Sequence, residues 1–422
     1  MATVAARFSV SVFAALGTVV GYLGTEVSSH SMFERLLWPS RFYNTTNVGS
    51  LIAISCIMTM GGPVHRTAVQ ALETLTLSGL WKGKFQGDML GTIFYRDTGR
   101  RYVVRNPDGT QSEERQVRND FWIGVMRLIT YHARLDEGSR DNSMRDDEES
   151  LDRLQPKIRD YQQVLILKLS RSTTSVIDGD SPVNYSDSGP LTARHVAGVA
   201  TSESISCFFG LVTGTVFRSG FTLWYIFPLV FKLIALAGHV RRTPIKRPAK
   251  KGKEGEPPAP VEQILCEVVD TSQGFFLIEG PTELVLQFFH RYGYPIRGRR
   301  GLRGDRAREV ISMCTVIAYA FLYPLGLVAF VFAPIGPQIV WLIYQIVAVT
   351  AMHFYHYGGG DHIGTTEESV ACDLSERQRV QLVDRTGERI VAELESVMVS
   401  SAAEGRAVTE DRVKKILESH AL

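Results

Sequence analysis

The sequence predicts a mainly α protein of multi-pass transmembrane helices, four or five spans, with a small mixed α/β polar region between spans and an amphipathic helical tail. Three observations predict it. Residues 310–360 contain no Asp, Glu, Lys or Arg, residues 8–25 are equally free of charge, and runs rich in arginine and lysine border the later apolar blocks. A hydrocarbon core of about 30 Å takes roughly 20 apolar residues to cross, so the longest uncharged run holds two spans.

Residues 8–25 follow Arg7 and read as an uncleaved anchor, because the stretch is longer than the apolar core of a signal peptide and no small-residue cleavage site follows it. Gly17 and Gly21 stand one helical turn apart and offer a face of small residues for the close approach of another helix. Residues 48–64 are marginal, since Gly61-Gly62-Pro63 ends a short apolar core. The protein has five spans if they cross and four if they do not. Asn44 opens an N-x-T sequon just before them.

Residues 65–204 form a polar region with nearly balanced charge. Short strands are expected at residues 92–105 and 110–117, joined through Asn106-Pro107-Asp108-Gly109, whose residues supply preset or positive φ. Apolar stretches at residues 121–132 and 161–169 supply a modest core. Residues 134–153 and 171–188 are too polar to bury and read as solvated linkers. Asn184-Tyr185-Ser186 is a second sequon.

Residues 205–240 exceed one span and fall short of two, which predicts one tilted or kinked transmembrane helix interrupted by Arg218, Pro228 and Lys232. An ionisable side chain inside a bilayer is costly and marks a functional candidate. Arg218 and Lys232 are therefore the candidate intramembrane charges, the alternative being that their stems reach opposite interfaces. Ser206, Gly210 and Gly214 again put small residues on one helix face.

Seven basic residues, the first Arg241 and the last Lys253, fill residues 241–253, and Arg297, Arg299, Arg300, Arg303, Arg306 and Arg308 precede the long uncharged run. The positive-inside rule puts this loop in the cytoplasm, and both clusters suit anionic lipid headgroups. Inside the loop, residues 261–296 have the character of a small folded segment, with a helix opening at Gly280-Pro281-Thr282-Glu283 and stopping at Gly293. A single crossing at residues 205–240 would leave the polar region outside or in a lumen, and Asn184 open to glycosylation.

Residues 310–357 form a hairpin of two spans broken at Ala333-Pro334-Ile335-Gly336-Pro337, with Trp341, Tyr355 and Tyr357 at headgroup depth. Residues 358–422 are then a cytoplasmic tail. Val380, Val383, Ile390, Val391, Leu394 and Val397 recur at near-helical spacing, and Thr409 caps a second helix through Val413 and Ile416. Such amphipathic faces require a partner, in this chain or in another protein.

His353, His356, Asp361 and His362 are the one cluster resembling metal ligands, the first two a turn apart and the last two returned by Gly358-Gly359-Gly360. No phosphate loop, dinucleotide fingerprint, nucleophile elbow or kinase set is present, so no cofactor is implied and an enzyme is disfavoured. A net charge of +2 with local basic clusters argues against nucleic acid, and five cysteines without paired spacing imply no disulfide framework. The leading expectation is a non-enzymatic membrane scaffold or interaction protein. Its rivals are a transporter or channel subunit using Arg218 and Lys232, and a metal-dependent membrane enzyme.

Overall fold

The computed structural model describes residues 48–57, 100–105, 111–117, 119–143, 162–172, 183–184, 192–241, 262–269, 274–290, 305–357, 363–383, 389–399 and 401–421, with scattered positions between 12 and 73. The chain divides into two compact units, and it passes between them repeatedly. One unit takes residues 1–94, 187–242 and 294–366; the other takes residues 95–186, 243–293 and 367–422.

The first unit is helical. Its described elements are α1 (Val48–Ile57), α3 (Ala193–Ser202), α4 (Ser204–Phe217), α5 (Thr222–Ala237), α7 (Asp305–Val331) and α8 (Ile335–Tyr357). The last two carry the apolar stretches Val310–Val331 and Ile335–Phe354, each long enough to cross a membrane. A break at Phe332-Ala333-Pro334 separates them, where proline cannot continue the ladder of the preceding helix. The expected hairpin is therefore present, but the expected four or five spans are not. Among the described residues two helices are long and apolar enough, or three if α3 and α4, bent by 56°, count as one.

The span expected at residues 205–240 fails on geometry, and the marginal one at residues 48–64 is described only in part. Residues 48–57 of the marginal segment form α1, and its residues 58–64 lie outside the described residues. Residues 205–240 are not one kinked helix but two, α4 and α5, joined by a tight turn in which Arg218 adopts a left-handed φ of 47°. The physical reason lies at Arg218-Ser219-Gly220, where the α4 ladder ends and the chain reverses. Pro228, one of the three interruptions expected, sits inside α5.

The second unit overturns the picture of a small mixed region and a helical tail. It is built on one eight-stranded mixed sheet in the order β2-β1-β5-β6-β3-β8-β7-β4. The strands are β1 (Arg101–Arg105), β2 (Arg115–Gln116), β3 (Gln162–Ser172), β4 (Val183–Asn184), β5 (Gln263–Val269), β6 (Phe275–Pro281), β7 (Arg379–Val383) and β8 (Arg389–Val399). Strand β3 runs parallel to β6, with Val164 opposite Phe275, and antiparallel to β8, with Leu167 opposite Leu394. Each of its neighbours thus comes from a different stretch of chain, one from the basic loop and one from the tail.

Helices α2 (Phe121–Ser143), α6 (Thr282–His290) and α9 (Thr366–Arg377) bring apolar residues to one sheet face, over Tyr102, Leu165, Leu167, Cys266, Ile278, Ile390 and Leu394. Tyr102 stacks on Phe289 at 4.6 Å, and Phe121 on Phe288 at 5.8 Å. Asn119 caps α2 by accepting the Phe121 amide, while its own amide donates to Phe289 O at the end of α6. Helix α10 (Ala402–Ala421) covers part of the other face, with Val408, Val413 and Ile416 against Val164, Ile166, Leu277 and Val399.

The tail shows why the helical reading failed there. Ile390, Ala392 and Leu394 belong to the core on one face, and Val399, with Val397 packed beside it, belongs to the core on the other. A strand buried on both faces is apolar at nearly every position, and over so short a run that pattern passes for helical spacing. Thr409 is no cap either. It lies buried inside α10 and donates to Gly405 O at 2.7 Å, while Ser401 caps the helix at Glu404 N.

Candidate functional site

Among the described residues the helical unit holds a buried ion pair. Lys232, on α5, and Glu203, at the break between α3 and α4, have fully buried side chains and form a salt bridge; Lys232 Nζ also donates to Ser202 Oγ at 3.0 Å. The local sequence explains the arrangement. Glu203 ends one helix and begins the next, and the 56° bend there turns α4 alongside α5.

The small residues of α4 set the distance between the two helices. Ser206 Oγ donates to Tyr225 O at 2.7 Å, and a Cβ on Gly210 would lie 2.9 Å from Tyr225 Cβ. At Gly214 it would lie 2.7 Å from Thr222 Oγ1. The face expected from Ser206, Gly210 and Gly214 is thus the contact between α4 and α5.

Beside this hairpin lies a narrow cavity lined by His65, Trp224, Tyr225, Tyr319, Tyr323 and Trp341 among others. Its volume of about 20 Å³ holds one water molecule by the usual measure. Tyr319 Oη donates to Pro228 O at 3.0 Å, and His65 Nδ1 lies 2.6 Å from Ala320 O. Trp341 Nε1 and the Gln345 side-chain amide are buried and have no hydrogen-bond partner among the described residues. Gln345 does not join two helices there, and Gln338 turns back on Ala333 O at 2.8 Å. Gly17 and Gly21 meet this wall: a Cβ on Gly17 would fall 2.9 Å from Trp341 Cδ1, and one on Gly21 1.8 Å from Tyr323 Oη.

The other predicted residues do not gather around the pair. Arg218 is exposed at the hairpin tip. His353 Nδ1 bonds its own helix at Val349 O, 2.8 Å away; the His356 side chain, Asp361 and His362 lie outside the described residues. Among the described residues no three potential ligands converge. Asn184 pairs with Val383 at the sheet edge, and Asn44 lies outside the described residues.

Glu203 was missed because the polar region was read as ending there. The signal was present, since Glu203 immediately precedes an uncharged window and Lys232 is the one charge between Ser219 and Gly238. An acid at the mouth of an apolar segment is the natural partner of a lone cation within it.

No family model matches the chain, and neither a curated protein nor a solved structure matches it.

Proposed function

We propose that this is a non-enzymatic, multi-pass membrane scaffold whose helical unit anchors a sheet unit on one side of the bilayer as a surface for partners. The observation that carries the reading is the single sheet assembled from three polar segments separated by apolar helices. A sheet has no bilayer running through it, so each intervening segment enters the membrane and leaves on the same side. Residues 310–357 do so as two spans. The hairpin of α4 and α5, with Phe208, Leu211, Leu223 and Val230 exposed, does so as a shorter re-entrant element.

The basic residues at 241–253 and 297–308 lie in segments that lead to and from the sheet, and the positive-inside rule then makes that side cytoplasmic. The tail and the first polar segment share it. Against a transporter, the Lys232 charge is neutralised by Glu203 and the neighbouring cavity has room for one water. A conducting path needs charges that a solute can reach.

Sealed inside-out and right-side-out vesicles test the reading. An impermeant maleimide should reach Cys372, which is exposed, only from the cytoplasmic face, and Asn184 should carry no glycan. A glycan on Asn184 would overturn the shared-side topology. Potassium or proton leak through proteoliposomes that disappears in Lys232→Met would favour the transporter instead.

A further inference from the structure

On the sheet unit, helix α10 and the start of β6 border an open groove of about 490 Å³. Gly274 and Phe275 form the strand side, and Ala403, Arg406, Ala407 and Glu410 form most of the helix side. Positions 403, 407 and 410 follow helical spacing with 406 beside them, so the four share one face of α10. A different face is already in use. Val408, Val413 and Ile416 pack on the sheet, and Gly405 and Thr409 are buried, whereas the four helix residues of the groove are exposed.

Elsewhere on α10 opposite charges meet. Arg412 pairs with Glu395 of β8, Asp411 with Lys415 at 2.6 Å, and Lys414 with Glu418 at 4.0 Å. Arg406 and Glu410 stand one turn apart, yet among the described residues neither forms an ion pair, with the other or with any third residue. At 1.5 Å of rise per residue the two positions lie about 6 Å apart along the helix. A face that closes this groove must therefore set an anion level with Arg406, a cation level with Glu410, and small side chains beside them.

Helix α10 is itself such a face. Turned end for end about a two-fold axis at residue 408, it brings Glu410 of one copy level with Arg406 of the other, and the reverse, because the two positions are equally far from the axis. Ala403 and Ala407 are small enough for two helices to approach to about 8 Å. Other occupants fit less well. An anionic surface is opposed by Glu410, and a wholly apolar segment would strip water from both charges without pairing either.

We propose that α10 of one copy lies antiparallel in this groove on a second copy, pairing Arg406 of each chain with Glu410 of the other in a symmetric dimer. The contact is isologous, so it closes at two copies and leaves no free end for further growth. Such pairing is independent of the side of the bilayer on which the sheet unit lies.

The test measures the mass of the full-length protein in a neutral detergent by light scattering, across a dilution series. The parent should be a dimer that dissociates on dilution. Arg406→Glu and Glu410→Arg should each weaken self-association roughly tenfold, since both symmetry-related contacts turn from attraction to repulsion. An equimolar mixture of the two single variants should pair as the parent does, because each supplies the charge the other lacks. The double variant Arg406→Glu/Glu410→Arg should pair with itself and, carrying a different tag, should not pair with the parent.

A parent that stays monomeric at every concentration would overturn the dimer. A dimer indifferent to both single variants, or a mixture that does not restore it, would overturn this face as the contact. Both charges are exposed, so each variant should melt with the parent, and recovery in the double variant separates lost pairing from lost folding.

Discussion

Lys232 shows how a single residue gains its meaning from one neighbour. A lone ammonium among apolar helices is expensive, and Glu203 with Ser202 makes it tolerable rather than stabilising. Lys232→Met alone should therefore cost about 3–5 kcal/mol by stranding the carboxylate, whereas Glu203→Leu combined with Lys232→Met should restore most of the loss. Urea unfolding of the detergent-solubilised protein reads both. A double variant as weak as the single one would argue that the pair does more than neutralise itself.

The cysteines of the sheet unit carry a second expectation at this scale. Burial pushes the Cys266 thiol up from an ordinary value near 9 to about 12, against a smaller opposing effect of Arg115. In the unfolded chain the same thiol ionises near 9, so between pH 9 and pH 12 the unfolded state holds fewer protons than the folded one. Stability should accordingly fall as pH rises through that window, by up to about 1.4 kcal/mol per unit. Replacing Cys266 with Ala should flatten this slope. Cys372 is raised more mildly, by burial first and then by Glu368, Glu376 and Asp373, so its alkylation should quicken with pH while Cys266 stays unlabelled until unfolding.

Close backbone approach decides which helices and strands meet. Gly274 has φ 131° and a Cβ there would lie 2.6 Å from Gln163 O, against backbone that cannot swing away. Gly274→Ala should destabilise the pairing of β3 with β6 by about 2–3 kcal/mol, combining strain with overpacking. A melting temperature within a degree of the parent would count against this register. Gly21→Leu tests the helical unit in the same way, because even a Cβ there meets Tyr323 Oη at 1.8 Å. The loss should be partly recovered by Tyr323→Ala, which empties the contested space.

Elements were legible in the sequence where their signal is local. Proline and an acid in the first turn marked the start of α6 at Thr282, and the proline-glycine break marked the hairpin of α7 and α8. Strands β7 and β8 were not legible, since Ile390 and Val391 are both buried and alternation vanishes when both faces are covered. Residues 161–169, where β3 runs, were read only as an apolar stretch for the same reason, since Val164, Leu165, Ile166 and Leu167 are all buried. At the candidate site Lys232 stood out as an intramembrane cation, and Arg218 did as well. Only the bend at Glu203 separates the paired charge from the one at an exposed tip.

Across the whole molecule the sheet is a knot of dependencies. Strand β8 lies between β3 and β7, so deleting residues 367–422 removes β7, β8 and α10 together and bares one edge of β3. Such a truncated chain should be cleaved within the sheet unit by low protease under conditions that spare the full chain. Residues 95–186 expressed alone should likewise fail to fold, for lack of the strands that flank β1 and β3.

By itself the sequence determined the two long apolar helices, the turn between them and the basic runs on their border, because hydropathy, proline and charge act within a few residues. Tertiary structure alone decided that the polar region, the loop and the tail are one sheet, and that α4 and α5 fold back on each other as a hairpin. Pairing such as Leu167 with Leu394 joins residues more than 200 positions apart, and nothing in either neighbourhood names the other. Glu203 and Lys232 depend on the same kind of fact, since an ion pair between helices exists only once the chain has turned back on itself.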